Sequence, residues 1–197
     1  MIRRRQLLLG AGASALLAAC TPPEGPKFEA TDVTGANFGR ELALTDHNGT
    51  PRTLADFHGK VLVVFFGFVH CPDVCPTTLY KFAKVVKALG PDGAKVQAVL
   101  ITVDPERDTP DLLRQYVTGF DPSFLGLTGE AAAVAAAAKE FRVIYQKVPG
   151  STPQDYSVDH SAGTYVYDPQ GRLRLFVAAT QDEKVLEHDI KLLLGGA

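Results

Sequence analysis

The sequence predicts an α/β domain, a mixed sheet flanked by helices, on three observations. Residues 61–66 (Val-Leu-Val-Val-Phe-Phe) form an unbroken β-branched and aromatic run, and residues 95–103 read as a second buried strand. A strand covered on both faces of a parallel or mixed sheet has this signature. Helical spacing follows each run, over 77–89 and from Thr109 to about residue 118. Asn48-Gly49 and Pro169-Gln-Gly171 are turn signals between short strand-like runs, which adds two hairpins. Strands alternating with helices in this way build layers around one core.

Composition sets the outer limits. The chain has 197 residues, a formal charge of −2 and 46% apolar residues, which fits one globular domain with a tail. So small a charge gives no reason to expect nucleic acid as a partner. Tryptophan is absent and the one methionine is the initiator, so a methionine-rich copper-binding segment is excluded.

Taken in order, the chain opens with Arg3-Arg4-Arg5 and an apolar run from Leu7 to Ala19. Residues 1–19 read as an export signal. Leu17-Ala-Ala-Cys20 resembles a bacterial lipoprotein cleavage box, which places a lipid on the Cys20 thiol. An uncleaved membrane anchor is the alternative, although the apolar run is short for a span. The arginines also bear a weak resemblance to a twin-arginine signal. Residues 20–40 are rich in Pro, Gly and Thr and read as a tether, with Phe28, Val33 and Phe38 available to anchor it to the domain surface. The folded domain is expected over 41–197, lipid-anchored on the outer, periplasmic face of a membrane in a bacterial cell envelope.

Within the domain, residues 41–49 alternate up to Asn48-Gly49, and 50–54 form the return strand. The central strand at 61–66 leads to the helix of 77–89, whose preceding Pro76 suits a first turn that needs no amide donor. The second buried strand stops at Asp104-Pro-Glu-Arg-Asp-Thr-Pro110, where Thr109-Pro110 cap the next helix. Residues 124–127 make a short strand, alanine-rich 130–140 a helix, and 141–148 another strand. A loop over 149–155 precedes the second hairpin, 163–168 with 172–178. Residues 181–194 form a terminal helix with Val185, Leu186, Ile190 and Leu193 on its apolar side.

The chemistry concentrates at His70-Cys71-Pro-Asp-Val-Cys75-Pro76. Two thiols sit where a central strand hands over to a helix N-terminus, and there free amides and the positive dipole end favour thiolate. Helical positions i and i+4 share a face, and four residues at helical rise separate the Cα atoms by about 6 Å, within the reach of a disulfide. The pair can be a dithiol, a disulfide or two ligands of one metal ion. A closed zinc site would need two more ligands at close spacing.

Of the five histidines, His160 is the best third ligand. It lies just before a predicted strand, and an adjacent parallel strand is expected to bring it over the cysteine helix. His70 abuts Cys71 and could tune it. His47, His58 and His188 read as structural or exposed. Two thiolates and an imidazole are a soft donor set that suits Cu(I), or Cu(II) with an added oxygen ligand. The loop with Asp104, Glu106, Arg107 and Asp108 is either a salt-bridged cap or a surface for a docking partner.

Four stretches together resemble the SCO/SenC copper-handling proteins: Phe66-Gly-Phe-Val-His-Cys71-Pro-Asp-Val-Cys75-Pro, Val103-Asp-Pro-Glu-Arg-Asp-Thr-Pro110, Gly126-Leu-Thr-Gly129, and Val158-Asp-His-Ser161 with Tyr165. The resemblance implies a thioredoxin-like fold with an extra N-terminal β-hairpin. It implies copper, as Cu(I), Cu(II) or both, held by Cys71, Cys75 and His160, with a redox disulfide between the two cysteines. It also implies a role in assembling the dinuclear copper centre of cytochrome c oxidase subunit II. That subunit or an equivalent acceptor would be the partner, and a periplasmic copper donor the supplier. Many family members keep a transmembrane helix where this chain carries a lipoprotein-like signal. The expected protein is therefore a copper chaperone and not a turnover enzyme. The rival is a thiol–disulfide oxidoreductase acting on the acceptor's copper-site cysteines. Against it stand the longer Cys-x-x-x-Cys spacing and the absence of proline in Ser161-Ala-Gly before Thr164. A redox or copper sensor is a third reading.

Overall fold

The structure is a computed structural model and describes residues 27–152 and 155–197. The expected export signal and Cys20 lie outside the described residues.

The two apolar runs form the centre. The strand Val61–Gly67 and the strand Val96–Thr102 are buried at every residue and pair in parallel, from Val61 opposite Val96 to Gly67 opposite Thr102. In chain order the strands are β1 (Thr31–Asp32), β2 (Leu44–Asp46), β3 (Pro51–Arg52), β4 (Val61–Gly67), β5 (Val96–Thr102), β6 (Leu125–Thr128), β7 (Tyr145–Val148), β8 (Ser157–His160), β9 (Thr164–Tyr167) and β10 (Leu173–Val177). Eight of them make one mixed sheet in the order β1-β10-β9-β4-β5-β6-β2-β3, and β7 with β8 forms a separate ribbon. The helices are α1 (Val74–Ala88), α2 (Pro110–Thr118), α3 (Ala131–Glu140) and α4 (Glu183–Leu194). Thr109 caps α2 as expected, its side chain accepting from the Leu112 amide. The hairpin β2–β3 pairs onto β6 and is the expected N-terminal addition.

Three segments depart from the sequence reading. After the hairpin, β3 is only two residues long, and residues 54–57 coil into a 3₁₀ turn closed by Thr53 and Asp56. Of 141–148 only Tyr145–Val148 is strand. Phe141 is buried, and Arg142 takes a left-handed φ of 55° that turns the chain outward. Residues 157–160, which the sequence reading assigned to no strand, are the strand β8.

The boundary at residue 41 is corrected as well. Strand β1 pairs with β10, Thr31 opposite Phe176, Ala30 is buried, and Phe28, Val33 and Phe38 pack against the core. A two-residue strand and three isolated aromatic or aliphatic anchors leave no periodicity in a Pro/Gly-rich stretch, so composition alone reads as linker. The clamp is Asp189 of α4. It is fully buried and accepts from the amides of Glu29 and Ala30 at 3.0 and 2.9 Å and contacts His188 Nδ1 at 2.8 Å. Truncation would strand buried donors. Asp189→Ala is therefore expected to lower stability by about 2–3 kcal/mol, read by urea unfolding, with new proteolysis at 27–40. An unchanged midpoint would show that β1 does not depend on this carboxylate.

Candidate metal centre

Strand β4 ends at Gly67 and the chain turns through Phe68–Asp73 into α1. Cys71 sits in that turn and Cys75 in the first turn of the helix. They do not meet as i, i+4 neighbours on one helix, as the spacing suggested. Instead the Cys75 amide donates to Cys71 Sγ at 3.4 Å. The unpaired donors of a helix start point out along its axis, so they serve the turn residue Cys71, which is partly exposed. Cys75 is fully buried. Burial pushes its thiol well up, with the Phe68 backbone donor working in the opposite direction.

Gly67 makes room for that sulfur. A Cβ at this position would lie 2.8 Å from Cys75 Sγ, 2.8 Å from the Phe65 ring and 3.1 Å from Leu100. A glycine inside an apolar strand is the sequence mark of such a close approach. The packing pattern alone does not say what approaches.

His160 ends β8, opposite Tyr145 of β7. Its Nε2 lies 3.6 Å from Cys75 Sγ, and its Nδ1 lies 3.1 Å from the Ser161 carbonyl oxygen. Only a protonated Nδ1 can donate to that carbonyl, and this assignment leaves the Nε2 lone pair facing the sulfurs. The Phe65 and Phe68 rings stand edge-on to the imidazole, with centroids 5.9 and 6.0 Å away. Burial holds the ring's pKa below its ordinary value, which keeps it a neutral ligand. The route to this position differs from the expected one. Strand β9 runs antiparallel to β4, Thr164 opposite Phe65, so the segment before β9 lies at the cysteine end of the sheet. A parallel strand would have put it at the opposite end.

Among the described residues, Cys71, Cys75 and His160 form the group whose ligand atoms could share one ion, all within 4.8 Å of one another. The other histidines lie elsewhere. His70 is exposed, with Nδ1 3.9 Å from Asp108. His47 is buried and its Nδ1 accepts from the Gly126 amide. His58 lies against Gly171, and His188 is held at Asp189.

The loop after β5 is a cap that braces the cysteine turn. Asp104 and Asp108 are both fully buried. Asp104 accepts from the Tyr156 hydroxyl at 2.6 Å and pairs with Arg107. Asp108 accepts from the Val69 amide at 3.1 Å and the Thr102 hydroxyl at 2.7 Å, and burial raises its pKa. Of the carboxylates proposed for docking, only Glu106 reaches solvent, paired with Lys147. The bracing role of Asp108 was not legible in the sequence, where the loop shows only mixed charge and proline.

Two free thiols and one neutral imidazole can bind a soft cation once the thiol protons leave, and the same two thiols can exchange with a disulfide.

The family model described as SCO1/SenC matches residues 30–195. The mitochondrial protein SCO2 homolog of Mus musculus is 47% identical over 133 residues, which is 66% of this chain and 52% of that protein. The chain thus spans about half the length of the mammalian relatives it matches. A SCO2-like protein of Rickettsia felis is 35% identical over 185 residues, 92% of this chain and 90% of that one. Among solved structures, Bradyrhizobium japonicum ScoI with copper bound is similar with a TM-score of 0.73 and 40% identity, covering 81% of this chain and 100% of that one. The fold is the thioredoxin-like one that the resemblance implied.

Proposed function

The chain belongs to the SCO1/SenC family, and from that membership we propose that it is a copper chaperone whose cargo is held by Cys71, Cys75 and His160. The carrying observation is the convergence of two sulfurs and a correctly oriented imidazole within 4.8 Å. The acceptor is the dinuclear copper centre of cytochrome c oxidase subunit II. The domain works from the outer face of a bacterial membrane, held by lipid on Cys20.

Three protein donors leave room for an incoming one, so the ion can pass by ligand exchange. Cys75 is the buried donor, while Cys71 and His160 are partly exposed and lie on the side an acceptor can reach. Two-electron oxidation of the cysteine pair by a disulfide partner would form an S–S bond, remove both thiolates and release the ion.

Anaerobic titration of the reduced domain with Cu(I) against a competing chelator tests this reading. One copper per chain, lost when the pair is oxidised, is the expected result. An intact dithiol that cannot compete for copper would refute it and leave disulfide exchange as the function. The anchor is checked by fractionation, where full-length protein should follow the membranes and Cys20→Ser should not.

A further inference from the structure

We infer that Tyr156 is a positioning residue for the third ligand, tying the strand that carries His160 to the loop that braces the cysteine turn. This rests on the copper-binding reading above.

Among the described residues β7 and β8 pair only with each other. A two-stranded ribbon is marginally stable at best by itself, so side chains must fix where it lies. Successive residues of a strand face opposite sides, and β8 alternates from exposed Ser157 through buried Val158 and exposed Asp159 to half-buried His160. Tyr156, Val158 and His160 therefore share the inner side. Val158 joins the core, but apolar burial is non-directional and does not by itself aim the strand.

The directional contacts belong to Tyr156. Its hydroxyl donates to the buried Asp104 carboxylate at 2.6 Å. Its carbonyl oxygen accepts from Arg107 Nη1 at 2.8 Å, and the Arg107 guanidinium lies 3.6 Å from the centre of its ring. Arg107 in turn pairs with Asp104 and lies 6.0 Å from the Phe68 ring, which stands edge-on to His160. In the same loop Asp108 holds the Val69 amide, two residues before Cys71. One loop thus grips both the turn with Cys71 and the strand with His160, and Tyr156 is the strand's side of that grip. Lys147 and Glu106 join the same two elements, but both are exposed, and such a pair holds little.

Tyr156→Phe deletes the hydroxyl and leaves Asp104 paired with Arg107. In the reduced, metal-free variant the amides of β7 and β8 should exchange about tenfold faster relative to those of β4 and β5, as expected for losing a hydrogen bond to a charged group. Cu(I) affinity by chelator competition should fall about tenfold, the effect of an unsupported ligand. The same substitution made in His160→Ala should change affinity by less than about twofold, because the ligand it places is already gone. An equal loss in both backgrounds would overturn the inference, since Tyr156 would then serve the fold at large. Wild-type affinity in Tyr156→Phe, or unchanged exchange in the ribbon, would overturn it as well. Wild-type protein titrated in parallel keeps the two readings apart. If it binds no copper, the chaperone reading falls and this inference with it. If it binds copper and the cycle shows no coupling to His160, only the role of Tyr156 falls.

Discussion

Cys75→Ser is expected to abolish tight copper binding, lowering Cu(I) affinity by at least about 10³-fold, well beyond the 10–100-fold typical of lost supporting contacts. A soft cation draws most of its binding from thiolate, and a serine hydroxyl neither ionises at neutral pH nor matches that softness. Cys71→Ser should behave alike, because one remaining sulfur cannot form the pair. His160→Ala should be milder, about 10–100-fold, since two thiolates still bind Cu(I) between them. This gradation is the discriminating result. Chelator competition on the three reduced variants, with unfolding midpoints to confirm that each is folded, reads it directly. Equal losses at all three positions would point to a general collapse of the site. An unchanged His160→Ala would remove the histidine from the ligand set.

The same three residues show how far a single sequence carries. The cysteine pair was legible because its context is local: a buried strand, a turn and a helix start lie in one continuous stretch. His160 was found by residue type and by its place before a strand, but the strand direction was misread. Direction is decided by pairing across the sheet, Thr164 with Phe65, and no short window encodes that. The ribbon β7–β8 that carries His160 was half missed, as its residues are mostly exposed and show no burial alternation. The segment 27–40 looked like a tether because its partner, Asp189, lies 159 residues away from Ala30.

Gly67→Ala is expected to damage stability and copper binding together, and the way it does so tests how the centre is built. The added methyl would sit 2.8 Å from both Cys75 Sγ and the Phe65 ring and 3.1 Å from Leu100. All three neighbours are fully buried, so none can swing into solvent, and overpacking of this kind costs about 1–3 kcal/mol. If the sulfur yields, it moves relative to His160 Nε2, now 3.6 Å away. If Phe65 yields, its ring moves against the same imidazole. Either relaxation disturbs the histidine, and a donor set displaced by about 0.5 Å should lose about tenfold in Cu(I) affinity. Adding Cys75→Ala to Gly67→Ala removes the clashing atom. The double variant should recover part of the lost stability relative to Cys75→Ala alone, while copper binding stays absent. Additive losses in that cycle would mean that Gly67 and Cys75 are not coupled, and the glycine would then serve the strand and not the sulfur.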